Sequence, residues 1–153
     1  MKYRPTGVRI IAALLLCIGA SVALAHESKH VGEGQYRLSV GFIHEPIYTE
    51  ERNGLDLIIR PAGQREPIPG LEEGLHAEII APNGDTRKAF DVRPRYPHPG
   101  RYTFDIILTE PGQYQVRVWG NIHDVSFDET FSLSEVKPIS VLHFPQPASR
   151  PFQ

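Results

Sequence analysis

Residues 75–92 read LHAEIIAPNGDTRKAFDV, and this stretch decides the class of the fold. In its first half, the apolar residues Leu75, Ala77 and Ile79 occupy every second position, which is the period of a strand with one buried face. Residues 82–85, Pro-Asn-Gly-Asp, are a strong turn signal between two extended segments. The stretch therefore predicts a β-hairpin.

The same rhythm continues on both sides of this hairpin. Five further segments join apolar alternation to Pro or Gly turns at their ends: 36–43, 55–59, 102–108, 114–119 and 125–133. The turn at 110–113 predicts that 102–108 and 114–119 form a second hairpin, with Trp119 as a candidate core anchor. Together the seven segments predict an all-β, immunoglobulin-like antiparallel β-sandwich.

The start of the chain has the three parts of a signal peptide. Lys2, Arg4 and Arg9 precede an apolar stretch over 10–18, and small residues follow before Ala25. The apolar stretch is too short to span a membrane, and no later stretch is long enough. We expect residues 1–25 to be a signal peptide, 26–135 the β-sandwich domain and 136–153 a Pro-rich tail, in a bacterial protein that is periplasmic or secreted and has no membrane span after cleavage.

Composition excludes several classes of function. The full chain has a formal net charge of −2 and its leader is basic, so the remainder is acidic, which argues against nucleic acid as a partner. Cys17 is the only cysteine and Met1 the only methionine, which excludes disulfides, thiol catalysis and methionine-rich Cu(I) sites after cleavage. The sequence has no Gly-rich phosphate loop, no Gly-x-Ser-x-Gly and no His-Glu-x-x-His, so we expect no enzymatic activity.

The histidines suggest a metal site. If each strand reverses direction, the predicted loops place five histidines at one end of the sandwich: His26, His30, His76, His98 and His123. Cleavage after Ala25 would also give His26 a free α-amine beside its imidazole. Zn²⁺ and Cu²⁺ both favour such nitrogen ligands.

We therefore predict that His26 and His30 bind Cu²⁺ or Zn²⁺, with His98 or His123 completing the site. The alternative for each histidine is a solvated loop position, and His123-Asp124 is also typical of a tight turn.

Residues 34–46, GQYRLSVGFIHEP, together with Asn53-Gly54-Leu55, Pro69-Gly70-Leu71 and the run Pro111-Gly112-Gln113-Tyr114, resemble a group of poorly characterised exported bacterial proteins of the YtkA-like type. The resemblance implies a small immunoglobulin-like sandwich in the periplasm or medium, with no catalytic residues to carry over. A looser similarity, through His26 alone, is to the periplasmic copper-resistance protein C family, and it implies Cu²⁺ binding at that residue.

Two functions remain open from the sequence. The first is a metal-binding protein that handles Cu²⁺ or Zn²⁺. The second is a metal-free accessory module of the envelope, which meets another envelope protein through sheet edges or loops.

Overall fold

The structure is a computed structural model and describes residues 26–145. Short 3₁₀ turns lie at Glu72–Gly74 and Ile139–Leu142. The strands, in chain order, are β1 (His26–Val31), β2 (Tyr36–Phe42), β3 (Ile47–Tyr48), β4 (Arg52–Pro61), β5 (Leu75–Ile80), β6 (Arg87–Asp91), β7 (Arg93–Pro94), β8 (Arg101–Thr103), β9 (Asp105–Ile107), β10 (Gln115–Ile122), β11 (Val125–Ser132) and β12 (Val136–Lys137).

These strands form an all-β antiparallel sandwich, which confirms the predicted fold class. The first sheet has the order β1-β2-β4-β8-β7, with β9 also paired to β4, and the second has the order β11-β10-β5-β6. A third, short sheet joins β3 and β12 in parallel. The predicted hairpin over 75–92 is confirmed, with Ala77 opposite Phe90 and Ile79 opposite Lys88. Within residues 26–145, no helix is long and apolar enough to cross a membrane.

The core lies between the two large sheets and follows from the period of two in each strand. Alternate residues of β2, β4, β10 and β11 turn inward, because one face of each strand meets the opposite sheet. The inward residues that are 2% exposed or less include Leu38, Val40, Phe42, Leu57, Ile59, Val116, Val118, Ile122 and Phe131. The opposite face of each sheet carries most of the polar side chains of these strands.

The second predicted hairpin is wrong. Strands β8 and β9 pair with β4, whereas β10 pairs with β5 and β11. The segment between β9 and β10 therefore crosses from one sheet to the other. Tyr114 fixes this crossing, since its hydroxyl donates to the Glu110 carbonyl at 2.9 Å, a corner found in immunoglobulin-type sandwiches. A local turn signal cannot tell such a crossing from a hairpin.

Trp119 is not a core anchor. Val116 and Val118 point inward from β10, so Trp119 lies on the outer face of the second sheet by strand alternation. There it stacks on His76 with ring centroids 5.5 Å apart, and the Arg117 guanidinium lies 4.8 Å from its ring centre.

Both ends of the predicted domain gain strand structure. The N-terminal arm forms β1, an edge strand paired with β2. At the other end, Val136 is 1% exposed and exchanges two backbone hydrogen bonds with Gly112, so the ordered sandwich continues into the predicted tail. Residues 1–25 and 146–153 of the predicted signal peptide and tail lie outside the described residues.

Candidate anion-binding face

The four predicted metal ligands are not brought together. His26 and His30 lie on the same face of β1, separated along the strand by about 13 Å. His98 lies in the exposed loop between β7 and β8, and His123 in the exposed turn between β10 and β11 of the other sheet. Among residues 26–145, no group of three or more His, Cys, Asp or Glu side chains is arranged to hold a metal ion.

The predicted ligands are separated because residues 26–31 form a strand, β1, which the sequence pattern did not predict. Because β1 runs antiparallel to β2, His30 lies opposite Arg37 near the start of β2, whereas His26 lies opposite Gly41 near its end. The prediction from alternating strand directions places His26 and His30 at the same end of the sandwich. Strand β1 instead carries His26 away from that end.

His26 reaches a buried carboxylate on the outer face of the first sheet. Its Nε2 lies 3.2 Å from Oδ2 of Asp56, whose side chain is 5% exposed. Arg101 Nη1 also donates to Oδ2 at 3.2 Å. Arg95 Nη1 lies 2.9 Å from Oδ1, as an ion pair without hydrogen-bond alignment. Two guanidiniums therefore already neutralise Asp56.

A row of basic residues crosses the same face closer to the β1–β2 turn. Strand pairing sets His30 directly opposite Arg37, and Arg37 directly opposite Arg60 on β4. We call His30, Arg37 and Arg60 the arginine row. Like charges in directly opposed positions of a sheet are destabilising, since their Cβ atoms lie only about 5 Å apart.

No carboxylate compensates this row within residues 26–145. The ion pairs of that region involve neither Arg37 nor Arg60. Arg37 donates to the Ser28 hydroxyl at 3.2 Å, and Arg60 Nε donates to the Arg65 carbonyl at 2.9 Å. Both bonds orient the guanidiniums and leave their charge uncompensated.

Two open grooves meet at the arginine row. The first, of about 460 Å³, extends from Arg37 and Arg60 past Ser28 and Ser39 towards Arg101. The second, of about 480 Å³, extends from the same two arginines to Arg65 in the loop after β4. Arginine presents a planar fork of donors that matches carboxylate, phosphate and sulfate oxygens. Chemically, this face is suited to an anion.

Sequence reasoning missed this face although each strand carries part of the signal. Arg37 is the first polar position in the alternation of β2, and Arg60 follows the apolar stretch of β4. Each position alone is typical of a solvated strand end. Only the register of β2 against β4 places the two arginines opposite each other.

His98 belongs to a separate surface. Its loop, with Arg95, Tyr96 and Glu72, lines a groove of about 270 Å³. Burial and the nearby Glu72 carboxylate raise the pKa of Tyr102 at the base of this groove. The Tyr102 hydroxyl donates to the Ile68 carbonyl at 2.5 Å and accepts from the Leu71 amide at 3.1 Å, so it holds the loop before β5 in place.

Comparisons with known proteins bear on the fold alone. No family model matches the chain, and no curated protein matches it significantly. A crystal structure of a DUF4426 family protein from Pseudomonas aeruginosa PAO1 superposes with a TM-score of 0.51 at 8% identity, covering 74% of this chain and 96% of that chain. This chain is similar to it in architecture. The resemblances to YtkA-like proteins and to the copper-resistance protein C family remain predictions.

Proposed function

We propose that this chain is an exported, non-enzymatic binding protein of the bacterial envelope, and that it holds an anionic group on the arginine row. The ligand class is a molecule that carries phosphate, sulfate or carboxylate groups. The observation that carries the proposal is the direct cross-strand pair of Arg37 and Arg60 without a compensating carboxylate.

Without a ligand, the arginine row destabilises the folded chain. Opposed guanidiniums lower the stability of the folded chain, and nearby Asp56 is already covered by Arg95 and Arg101. An oxyanion between Arg37 and Arg60 removes the repulsion and makes charge-assisted hydrogen bonds to both. Stability sacrificed in this way is typical of residues retained for binding.

Replacing either arginine is expected to weaken anion binding and to stabilise the free protein. With pyrophosphate as the probe, Arg37→Gln or Arg60→Gln should raise the Kd about tenfold, because each removes a charge-assisted contact. Isothermal titration calorimetry measures the Kd, and thermal melting without ligand should show an equal or higher Tm. A merely structural role would lower the Tm instead.

The matched control is Arg117→Gln. Arg117 lies on the outer face of the other sheet and is paired with Asp128 at 2.5 Å, so its loss removes the same charge away from the row. We expect the pyrophosphate Kd to stay unchanged. Equal weakening by all three variants would reduce the effect to net charge and overturn the proposal.

A Cu²⁺ or Zn²⁺ site at His26 is a second candidate, favoured by the contact of its Nε2 with Asp56. Metal-binding imidazoles commonly donate their second nitrogen to a carboxylate, which leaves Nδ1 for the ion. If cleavage follows Ala25, the α-amine supplies a second nitrogen. Arg95 and Arg101 oppose a cation here, which is why we rank this function below anion binding.

A single added residue tests the metal site. Cu²⁺ is titrated into the chain that begins at His26 and into the same chain with one Ala before it, with detection by electron paramagnetic resonance and chelator competition. An amine-anchored site predicts tight equimolar binding in the first and a large loss in the second. Weak binding in both chains rejects metal handling at His26.

A further inference from the structure

Strand β6 is an exposed sheet edge with a self-complementary sequence. It ends the order of the second sheet, so its outer edge is unpaired within the described part of the chain. Four of its five residues are exposed, and Phe90 is half-buried. An exposed edge of this kind is a template for another strand, and charges along it, such as those of β6, restrict pairing to a strand of complementary charge.

The sequence of β6 is Arg-Lys-Ala-Phe-Asp, over 87–91. If two copies pair antiparallel with Ala89 opposite Ala89, then Arg87 of each copy lies opposite Asp91 of the other. In the same register Lys88 lies opposite Phe90. Opposite charges and cation–aromatic pairs both favour cross-strand contact, and the small Ala89 side chain leaves the symmetry axis uncrowded.

The charged residues at the two ends of β6 have few partners among the described residues. Phe90 is already in contact with Lys88 of its own chain, whose Nζ lies 5.1 Å from the ring centre, and stacks on Phe104 with ring centroids 4.4 Å apart, so the charge pairs carry the register. Asp91 forms no ion pair with any residue in 26–145, and Arg87 has only a long contact of 3.6 Å to Glu78. Both groups are available to a partner.

An apolar groove lies beside this edge. It occupies about 440 Å³ between β6 and β9 and is lined by Phe90, Ile106, Leu108 and Tyr114, among others. At its rim, Ile107 is 56% exposed. A strand added to β6 would lie beside the mouth of this groove, because β6 forms one of its walls.

We propose that β6 pairs antiparallel with β6 of a second copy of this chain, centred on Ala89, to form a two-fold symmetric dimer. Such an interface is isologous, so each favourable contact occurs twice. The second sheet then runs without interruption through both copies. This proposal is independent of the anion-binding function.

A charge swap tests the pairing. The full chain, expressed with its own leader, is studied by sedimentation equilibrium. Asp91→Arg replaces two attractive pairs by two repulsive ones and should raise the dimer Kd about tenfold or more. The double variant Arg87→Asp, Asp91→Arg restores opposite charges and should return the Kd to within about threefold of the original.

The control is Asp124→Arg, an exposed position in the turn between β10 and β11 that is away from β6 in the order of the sheet. It makes the same charge change and should leave the Kd unchanged. Circular dichroism confirms that each variant is folded. A wild-type chain that stays monomeric at millimolar concentration, or a double variant that fails to recover, overturns the proposal.

A cross-link tests the register. Directly opposed residues in an antiparallel pair have Cα atoms about 4.5–5.5 Å apart, within the range of a disulfide. Ala89→Cys should therefore form a disulfide-linked dimer in air, whereas Asp124→Cys should not. Equal cross-linking of both variants, or none at position 89 in a proven dimer, would reject this register.

Discussion

Gly120→Ala is expected to lower the free energy of unfolding by about 4 kcal/mol, from steric overlap added to backbone strain. Gly120 has a φ of 143°, in a region that residues with a side chain rarely adopt. A Cβ at this position would also fall well inside the contact distance of the Gly74 carbonyl oxygen. Because that oxygen belongs to the backbone, it cannot rotate away.

The clash would disturb the pairing of β10 with β5, in which Gly120 takes part. It lies opposite Leu75 in the pairing of β10 with β5, where the 3₁₀ turn Glu72–Gly74 packs on β10. Moving Gly74 would displace the start of β5 and the adjoining edge of the core. Chemical denaturation with urea measures the loss, and a folded chain should also show a Tm lower by about 10 °C or more.

Two other glycines separate the causes. Gly84 has a φ of 78° with open space around its Cβ position, so Gly84→Ala measures backbone strain alone, about 1 kcal/mol. A Cβ on Gly74 would be 3.7 Å from the Asn121 carbonyl oxygen, an ordinary contact, so Gly74→Ala should be tolerated. A Gly120→Ala variant as stable as Gly84→Ala would contradict the close approach of the two backbones.

The comparison of β6 with β8 shows which part of the fold the sequence determines locally. Residues 75–92 contain both strands and the turn that joins them, and the predicted hairpin is correct. Residues 102–108 have an equally clear pattern, but their partner is β4, which is distant in sequence. Pairing across the chain depends on how the whole core closes, and a local period carries no information about it.

Strand β1 shows a second limit. Its sequence, His-Glu-Ser-Lys-His-Val, has no apolar alternation, because Val31 is its one apolar residue and also its one buried residue. The inward side chain of Lys29 instead donates to the Thr130 carbonyl at 2.6 Å and closes the edge beside β11. A polar edge strand of this kind resembles an extended arm in sequence, and missing it misplaced His26.

The candidate site was beyond sequence reasoning for a related reason. The histidines were the conspicuous residues, and their type suggested a metal. The arginine row depends on the pairing of β2 with β4. The carboxylate cluster, which is Asp56 with His26, Arg95 and Arg101, depends on residues from three strands and a loop. Neither arrangement has a spacing that a single segment reveals.

Asp56→Asn is expected to lower the free energy of unfolding by about 2–3 kcal/mol, because it leaves the Arg95 and Arg101 guanidiniums without their shared carboxylate. The loss is smaller than for a fully buried pair, since these arginine side chains are 22% and 33% exposed. Urea denaturation of the variant and of the parent chain measures the difference.

The matched control is Asp105→Asn. Asp105 also contacts two arginines, Arg52 at 3.1 Å and Arg93 at 2.8 Å, but its side chain is 47% exposed. The two guanidiniums hold the pKa of Asp105 below its usual value, and water screens their interaction, so we expect little change in stability. Equal losses from both variants would contradict the role of burial at Asp56.

The same substitution, Asp56→Asn, should strengthen anion binding although it destabilises the fold. Asp56 is the carboxylate that lines the groove shared by Arg37, Arg60 and Arg101, so removing its charge raises the positive potential there. Asp56 lies about 13 Å along β4 from Arg60, so the pyrophosphate Kd should fall about twofold at low salt. If Asp56→Asn lowers stability but tightens anion binding, its effect on binding comes from electrostatic attraction at the arginine row and not from general damage to the fold. Weaker binding by Asp56→Asn would mean that Asp56 positions Arg101 for the ligand, and would move the centre of the site from the arginine row to the carboxylate cluster.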